Sequence, residues 1–159
     1  MSTRIENFEQ LRQKYEECKR LVEVRADPDY DGDKKFILVC GGPGCVSLKS
    51  LQLVENFEKL IKEHGLENKV QASISGCFGF CEKGPLVNIF PENIFYVQVK
   101  PEDAKDIFEQ HILNNKVVDR LVYIEPVSQK SMTDSLEMPF YKRQMRIALR
   151  NCGLIDPEI

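Results

Sequence analysis

The sequence predicts an α/β sandwich wired β-α-β-β-β-α, and three observations carry that expectation. A continuous apolar run, Phe36 to Val39, suits a strand buried on both faces, and a helical pattern follows it directly. Val70, Ala72 and Ile74 then alternate as a half-buried strand. Two further apolar runs, Leu86 to Phe90 and Ile94 to Val99, flank Pro91-Glu92-Asn93 and read as a hairpin before another helix. A chain of 159 residues, 42% hydrophobic and 30% charged, has the size of one ordinary domain with short appendages.

Residues 1–33 form the first appendage, a helix followed by an acidic linker. Ile5, Phe8, Leu11, Tyr15, Cys18 and Val22 recur at helical steps, and Thr3 with Glu6 reads as a capping box. Cys18 lies within that stripe and is expected to be a buried thiol rather than a ligand. Asp27, Asp29 and Asp31 before Gly32 imitate the start of a calcium loop. The twelfth position, where a bidentate Glu is needed, is Leu38, so calcium binding is rejected.

Residues 34–124 form the central module. After the first strand comes a Gly/Pro loop, and Ser47 is expected to cap a helix with Leu51, Val54, Phe57 and Leu60 or Ile61 on its apolar face, ending near Gly65. Following the hairpin, Pro101 opens a helix with Glu102 and Asp103 in its first turn. Ala104, Ile107, Phe108 and His111 share one face of it. The wiring is that of a thioredoxin-like sandwich. Residues 125–159 read as a Ser/Thr/Pro-containing linker, up to Met138, and a basic helix over Phe140 to Arg150. That helix carries Lys142, Arg143, Arg146 and Arg150 and no acid, with Asn151-Cys152-Gly153 as its cap, and is expected to pack poorly on the module.

Composition excludes several classes. Twenty-two Lys plus Arg against twenty-five Asp plus Glu give a net charge of −3, which lacks the electrostatic footprint of a nucleic-acid binder. The longest apolar stretch without charge, Phe36 to Leu48, is too short to span a bilayer and is broken by Gly41, Gly42, Pro43 and Gly44. Met1 to Phe8 contains Arg4 and Glu6 and no apolar secretory core. A cytoplasmic protein without membrane insertion is the expectation.

Six cysteines then call for metal or redox chemistry, since a reducing cytosol disfavours a disulfide framework. Cys18 and Cys152 are isolated. The others form Cys40-x4-Cys45 and Cys77-x3-Cys81, each in a glycine-bearing loop directly after a predicted strand. If those strands are neighbours, both loops leave one end of the sheet and four thiolates converge on one metal centre. All-cysteine ligation suits an iron–sulfur cluster or a tetrahedral zinc. The four-residue gap favours a two-iron cluster, which is wider than a single ion. Glycines at 41, 42, 44, 76, 79 and 84 leave backbone N–H groups unobstructed around sulfur. Phe78 and Phe80 either screen such a centre from water or fill the core beneath the loop.

Catalytic readings are weaker. Thioredoxin chemistry needs a Cys-x-x-Cys pair, which is absent. Gly42-x-Gly44-x-x-Ser47 after a strand hints at a dinucleotide loop but lacks the third glycine. His64 and His111 lie away from the cysteine loops and are read as structural. No catalytic residue is assigned, and the chain has no self-contained active site.

Val39-Cys40-Gly41-Gly42-Pro43-Gly44-Cys45, with Gly76-Cys77-Phe78-Gly79-Phe80-Cys81-Glu82-Lys83-Gly84-Pro85, resembles the thioredoxin-like [2Fe–2S] ferredoxin domain. One branch is the better match. Phe95-Tyr96-Val97, Val99-Lys100-Pro101-Glu102-Asp103, Pro139-Phe140-Tyr141-Lys142 and Arg150 through Pro157 are similar to the N-terminal domain of the flavoprotein (beta) subunit of NAD-dependent, often electron-bifurcating, iron-only hydrogenases. That subunit is related to the NADH-binding flavoprotein subunit of respiratory complex I. The resemblance implies one [2Fe–2S] cluster on Cys40, Cys45, Cys77 and Cys81 and an electron-transfer role. It also implies partnership with other subunits of a redox complex, with self-association allowed. In that family the segment near Arg150 leads into an FMN- and NADH-binding domain, so the chain is expected to be a fragment. FMN and NAD are implied only for the remainder. The alternative is a structural zinc-binding docking module in a larger assembly.

Overall fold

The computed structural model describes residues 4–27, 29–145, 147–148 and 150. Its centre is β1 (Lys35–Cys40), whose residues after Lys35 are all buried. β1 runs parallel to β2 (Val70–Ser75) and antiparallel to β3 (Val87–Phe90), and β3 pairs with β4 (Ile94–Tyr96), giving the order β2-β1-β3-β4. The mixed four-stranded sheet with helices against it matches the expected sandwich. The unbroken apolar run of β1 is thereby explained, since both of its faces are covered.

The period of two divides β1 between two cores. Ile37 and Val39 pack with Leu53, Phe57, Ile61, Ile107 and Phe108 on the helix-covered face. Phe36, Leu38 and Cys40 share the other face with Cys45, Phe78, Phe80, Leu86 and Phe95. Each fully buried Val, Leu, Ile or Phe contributes roughly 1.5–3 kcal/mol.

The connection from β1 to β2 is α2 (Pro43–Ser47) followed by α3 (Ser50–Glu63). Ser47 does not cap α3. It ends α2, and its Oγ donates to the Gly44 carbonyl at 2.8 Å. Lys49, at φ 69°, breaks the chain between the two helices. That break resets the helical phase, so Ser50, Leu53, Phe57 and Ile61 face the sheet and Leu51 is exposed. α4 (Asp103–Ile107) continues as a wider turn over Phe108–Ile112, and Ala104, Ile107, Phe108 and His111 are buried as the pattern predicts.

α1 (Phe8–Ala26) is capped by Asn7, whose Oδ1 accepts from the Gln10 N–H at 2.9 Å, in place of the expected Thr3 cap. Thr3 lies outside the described residues. The stripe on α1 is largely uncovered, with Phe8 76% and Tyr15 61% exposed, and only the C-terminal end reaches the sheet, through Val24 and through Arg25 stacked 4.5 Å over the Phe36 ring. Cys18 is accordingly half-buried, not buried.

The segment after residue 124, expected as a linker, returns to the module. β5 (Tyr123–Ile124) pairs with β6 (Ser131–Met132), the Phe95 N–H donates to the Thr133 carbonyl at 2.7 Å, and Asn93 Nδ2 donates to Asp134 Oδ1 at 2.6 Å. Met138 is fully buried. The helix expected over Phe140 to Arg150 is corrected to α5, Pro139–Lys142. Phe140 and Tyr141 find aromatic partners, whereas Met145 is 88% exposed. A helix that short needs tertiary packing, and among the described residues past Lys142, Met145 and Ile147 are exposed. The cap expected at Asn151-Cys152-Gly153 lies outside the described residues, as does Arg146. Among the described residues no helix is long and apolar enough to cross a membrane.

Candidate metal centre

The register of the parallel pair places Cys40 opposite Ser75, so β1 and β2 end at the same level and their loops leave one end of the sheet together. Gly41 N–H donates to the Ser75 carbonyl at 2.9 Å and ties the two loops. A Cβ on Gly41 would stand 2.4 Å from that same carbonyl oxygen. The glycine is therefore required for the loops to meet.

The four predicted ligands come together as two pairs. Cys45 lies against Cys40, and both are buried, while the half-buried Cys77 Sγ stands 3.8 Å from the exposed Cys81 Sγ. Backbone closes around them. A Cβ on Gly42 would lie 2.9 Å from Cys77 Sγ, and one on Gly84 would lie 2.8 Å from Cys45 Sγ. Gly79, at φ 80°, takes a left-handed conformation and turns its N–H onto Cys77 Sγ at 3.3 Å.

Burial first, and the neighbouring Cys40 second, push the Cys45 thiol up to about 12. Cys81 is raised chiefly by its neighbour Cys77. Cys45 and Cys81 thus favour the protonated thiol, and a bound metal inverts the balance by stabilising thiolates.

This donor set fits an iron–sulfur group. It offers sulfur alone, in two pairs, with glycines where a side chain would collide with the thiols. A tetrahedral zinc needs four sulfurs at about 2.3 Å from one point. A two-iron group presents two cations and takes one cysteine pair at each.

The other candidates fall elsewhere. His111 is buried in the helix-covered core, where the Tyr96 hydroxyl lies 2.8 Å from its Nδ1 and accepts from the Val118 N–H at 3.1 Å. Burial lowers the pKa of His111 to about 4, so the ring is neutral in the fold. His64 contacts the Leu60 carbonyl and the Phe108 ring, far from sulfur in sequence and in element. Cys18 sits on α1. Phe78 and Phe80 are buried in the same core as Cys40 and Cys45, so they fill the core and cover the thiols at once.

Sequence reading missed the aromatic residues after the supposed linker. Phe140 stacks on Phe80 with ring centres 4.7 Å apart, and the Tyr141 hydroxyl donates to the Phe78 carbonyl at 3.0 Å. The available signal was two adjacent aromatics directly after Pro139 in a stretch otherwise poor in them.

No family model matches the chain. It is 39% identical over 77 residues to a 2Fe-2S ferredoxin of Clostridium pasteurianum, covering 76% of that protein and 48% of this one. It is 33% identical over 97 residues to a 2Fe-2S ferredoxin of Aquifex aeolicus, covering 87% of that protein and 55% of this chain. The crystal structure of the thioredoxin-like [2Fe-2S] ferredoxin from Aquifex aeolicus superimposes with a TM-score of 0.54 at 30% identity, over 59% of this chain and 100% of that one. Sequence and fold agree: this chain belongs to the thioredoxin-like [2Fe–2S] ferredoxin family.

Proposed function

We propose that the chain is an electron-transfer module holding one [2Fe–2S] cluster on Cys40, Cys45, Cys77 and Cys81. The observation that carries this is the two thiol pairs delivered to one end of the sheet by β1 and β2, with Gly42 and Gly84 backbone against their sulfurs. When bound, such a group supplies one-electron chemistry at low potential, roughly −400 mV for the plant type. The chain's own part is to hold sulfur and to exclude water. Cys40 and Cys45 anchor from within the core, Gly79 donates to Cys77 Sγ, and Phe78 and Phe80 keep solvent from the buried side. Cys81, exposed, leaves a short path to a partner.

Anaerobically purified protein is expected to be brown, with about two irons and two sulfides per chain. Ser in place of any of the four cysteines lowers iron, whereas Cys18→Ser leaves it unchanged. A colourless protein that binds only zinc would establish the zinc docking module instead.

We propose further that the module belongs to a multisubunit NAD(H)-linked oxidoreductase of hydrogenase or NADH dehydrogenase type. Support comes from the likeness of residues 139–142 and 150–157 to the flavoprotein subunit's sequence, and from the two fifths of the chain that the Aquifex ferredoxin fold leaves unmatched. NADH alone is expected to leave the module oxidised, and NADH with a flavin-containing NADH dehydrogenase to reduce it. Reduction by NADH alone would contradict this placement.

A further inference from the structure

The Phe78–Gly79 peptide is held at both ends. Its N–H, on Gly79, donates to Cys77 Sγ at 3.3 Å, and its carbonyl, on Phe78, accepts from the Tyr141 hydroxyl at 3.0 Å. Tyr141 is 63 residues away in sequence from Phe78. It is held in place by edge-on contacts with the Phe95 and Phe80 rings, at 5.9 and 6.0 Å, and by the Phe140 ring beside it. A hydrogen bond accepted at a peptide oxygen polarises that peptide and strengthens the donor at its other end. The same contact fixes the plane of the peptide, and so the direction of the Gly79 N–H.

We infer that Tyr141 is a positioning residue for the metal centre, acting through the Phe78–Gly79 peptide to strengthen the hydrogen bond on Cys77 sulfur and so to raise the reduction potential. The inference rests on the cluster assignment above. Donors to cysteinyl sulfur stabilise negative charge, and the reduced state carries one more electron, so each such bond favours reduction. Residues 125–142 thus reach the electron-transfer site electrically as well as by packing.

The test uses the full chain. Iron and sulfide content of the wild type is measured first; absence of both would remove the cluster assignment itself and is read separately. Tyr141→Phe keeps the ring and deletes the hydroxyl. It is expected to retain the wild-type iron content and to shift the reduction equilibrium several-fold toward the oxidised form. The limit is about tenfold, or about 59 mV more negative for one electron. The iron–cysteine stretching bands in resonance Raman spectra move with it. A loaded Tyr141→Phe protein with wild-type potential and bands would overturn the inference. Phe140→Leu removes the stacked cover on Phe80 and leaves the hydroxyl. Wild-type potential in that variant supports the peptide route, and a shift equal to that of Tyr141→Phe would overturn it in favour of general cover. If Tyr141→Phe loads too little cluster to titrate, normal loading of Phe140→Leu supports the special role of the hydroxyl, and equal loss in both overturns it.

Discussion

The two faces of the sheet solve different problems with the same strand. On one, Ile37 and Val39 meet α3 and α4 through aliphatic and Phe side chains, and the buried Tyr96 and His111 are hydrogen-bonded to each other. On the other, Phe36, Leu38 and Cys40 meet two thiols' worth of loop, a row of aromatic rings and residues returning from beyond position 130. The first is a conventional core and folds on packing alone. The second is assembled from loops, so its order depends on glycine and on distant aromatics. Stability and redox chemistry are therefore separable in this molecule, one to each face.

The largest expected effect lies on the helix-covered face. Phe57→Ala removes a fully buried ring and should cost about 3–5 kcal/mol, equally with and without iron, as read by chemical denaturation. A loss seen only in the iron-loaded protein would break the separation.

Acid comes next. Unfolded histidine takes its proton near 6.5, while folded His111 resists it until about 4. The unfolded chain therefore binds more protons across that window. Stability falls as pH drops through it, by about 3 kcal/mol in total from this one group, and levels off below. His111→Gln should flatten this part of the profile, whereas an unchanged slope would show that His111 is already charged in the fold.

On the thiol face the effects are smaller. A Gly84→Ala methyl meets Cys45 Sγ at 2.8 Å, so it should destabilise by about 1–3 kcal/mol and lower iron retention. The Cβ of Gly44→Ala has only Cys81 Cβ near, at 3.9 Å, and should change stability by less than about 0.5 kcal/mol. Equal damage from the two, in melting curves and iron content, would show that the loops yield and that the close fit at Gly84 is not required. The smallest effect belongs to Cys18→Ala, a half-buried position on α1, expected within about 0.5 kcal/mol of wild type.

What the sequence made legible was whatever short-range pattern dictates. The apolar run of β1, the alternation of β2 and the cysteine spacing all survive, because strand pairing and chelation leave marks on neighbouring residues. The face of α3 was legible at Val54, Phe57, Leu60 and Ile61 but not in its first turn, where the backbone break at Lys49, φ 69°, buries Ser50 and leaves Leu51 exposed. The stripe on α1 was read correctly as helical, but Cys18 within it was expected buried and is half-buried, since periodicity shows that a face is apolar and not what covers it. The return of residues 125–142 was illegible for a different reason. Its signals are single contacts, Phe140 on Phe80 and Tyr141 on Phe78, sixty and sixty-three positions apart in the chain. For the candidate site, spacing singled out four thiols whose loops leave one end of the sheet, but not their unequal depth, with Cys40 buried and Cys81 exposed.

The returning residues have one more consequence, for solubility. A sheet ends in two rims of unpaired backbone groups, each a template for another chain. Along β4 that rim is occupied: Tyr96 bridges to Val122, Val97 N–H reaches the Leu121 carbonyl, and Ile94 bridges to Asp134. Along β2 the rim carries no further strand among the described residues, but the strand interleaves Gln71, Ser73 and Ser75 among its apolar positions. The apolar rim is thus shielded and the polar one left bare. Removing residues 125–142 would strip Thr133 and Asp134 from Phe95 and Ile94, and open that part of the rim to strand pairing with a second copy.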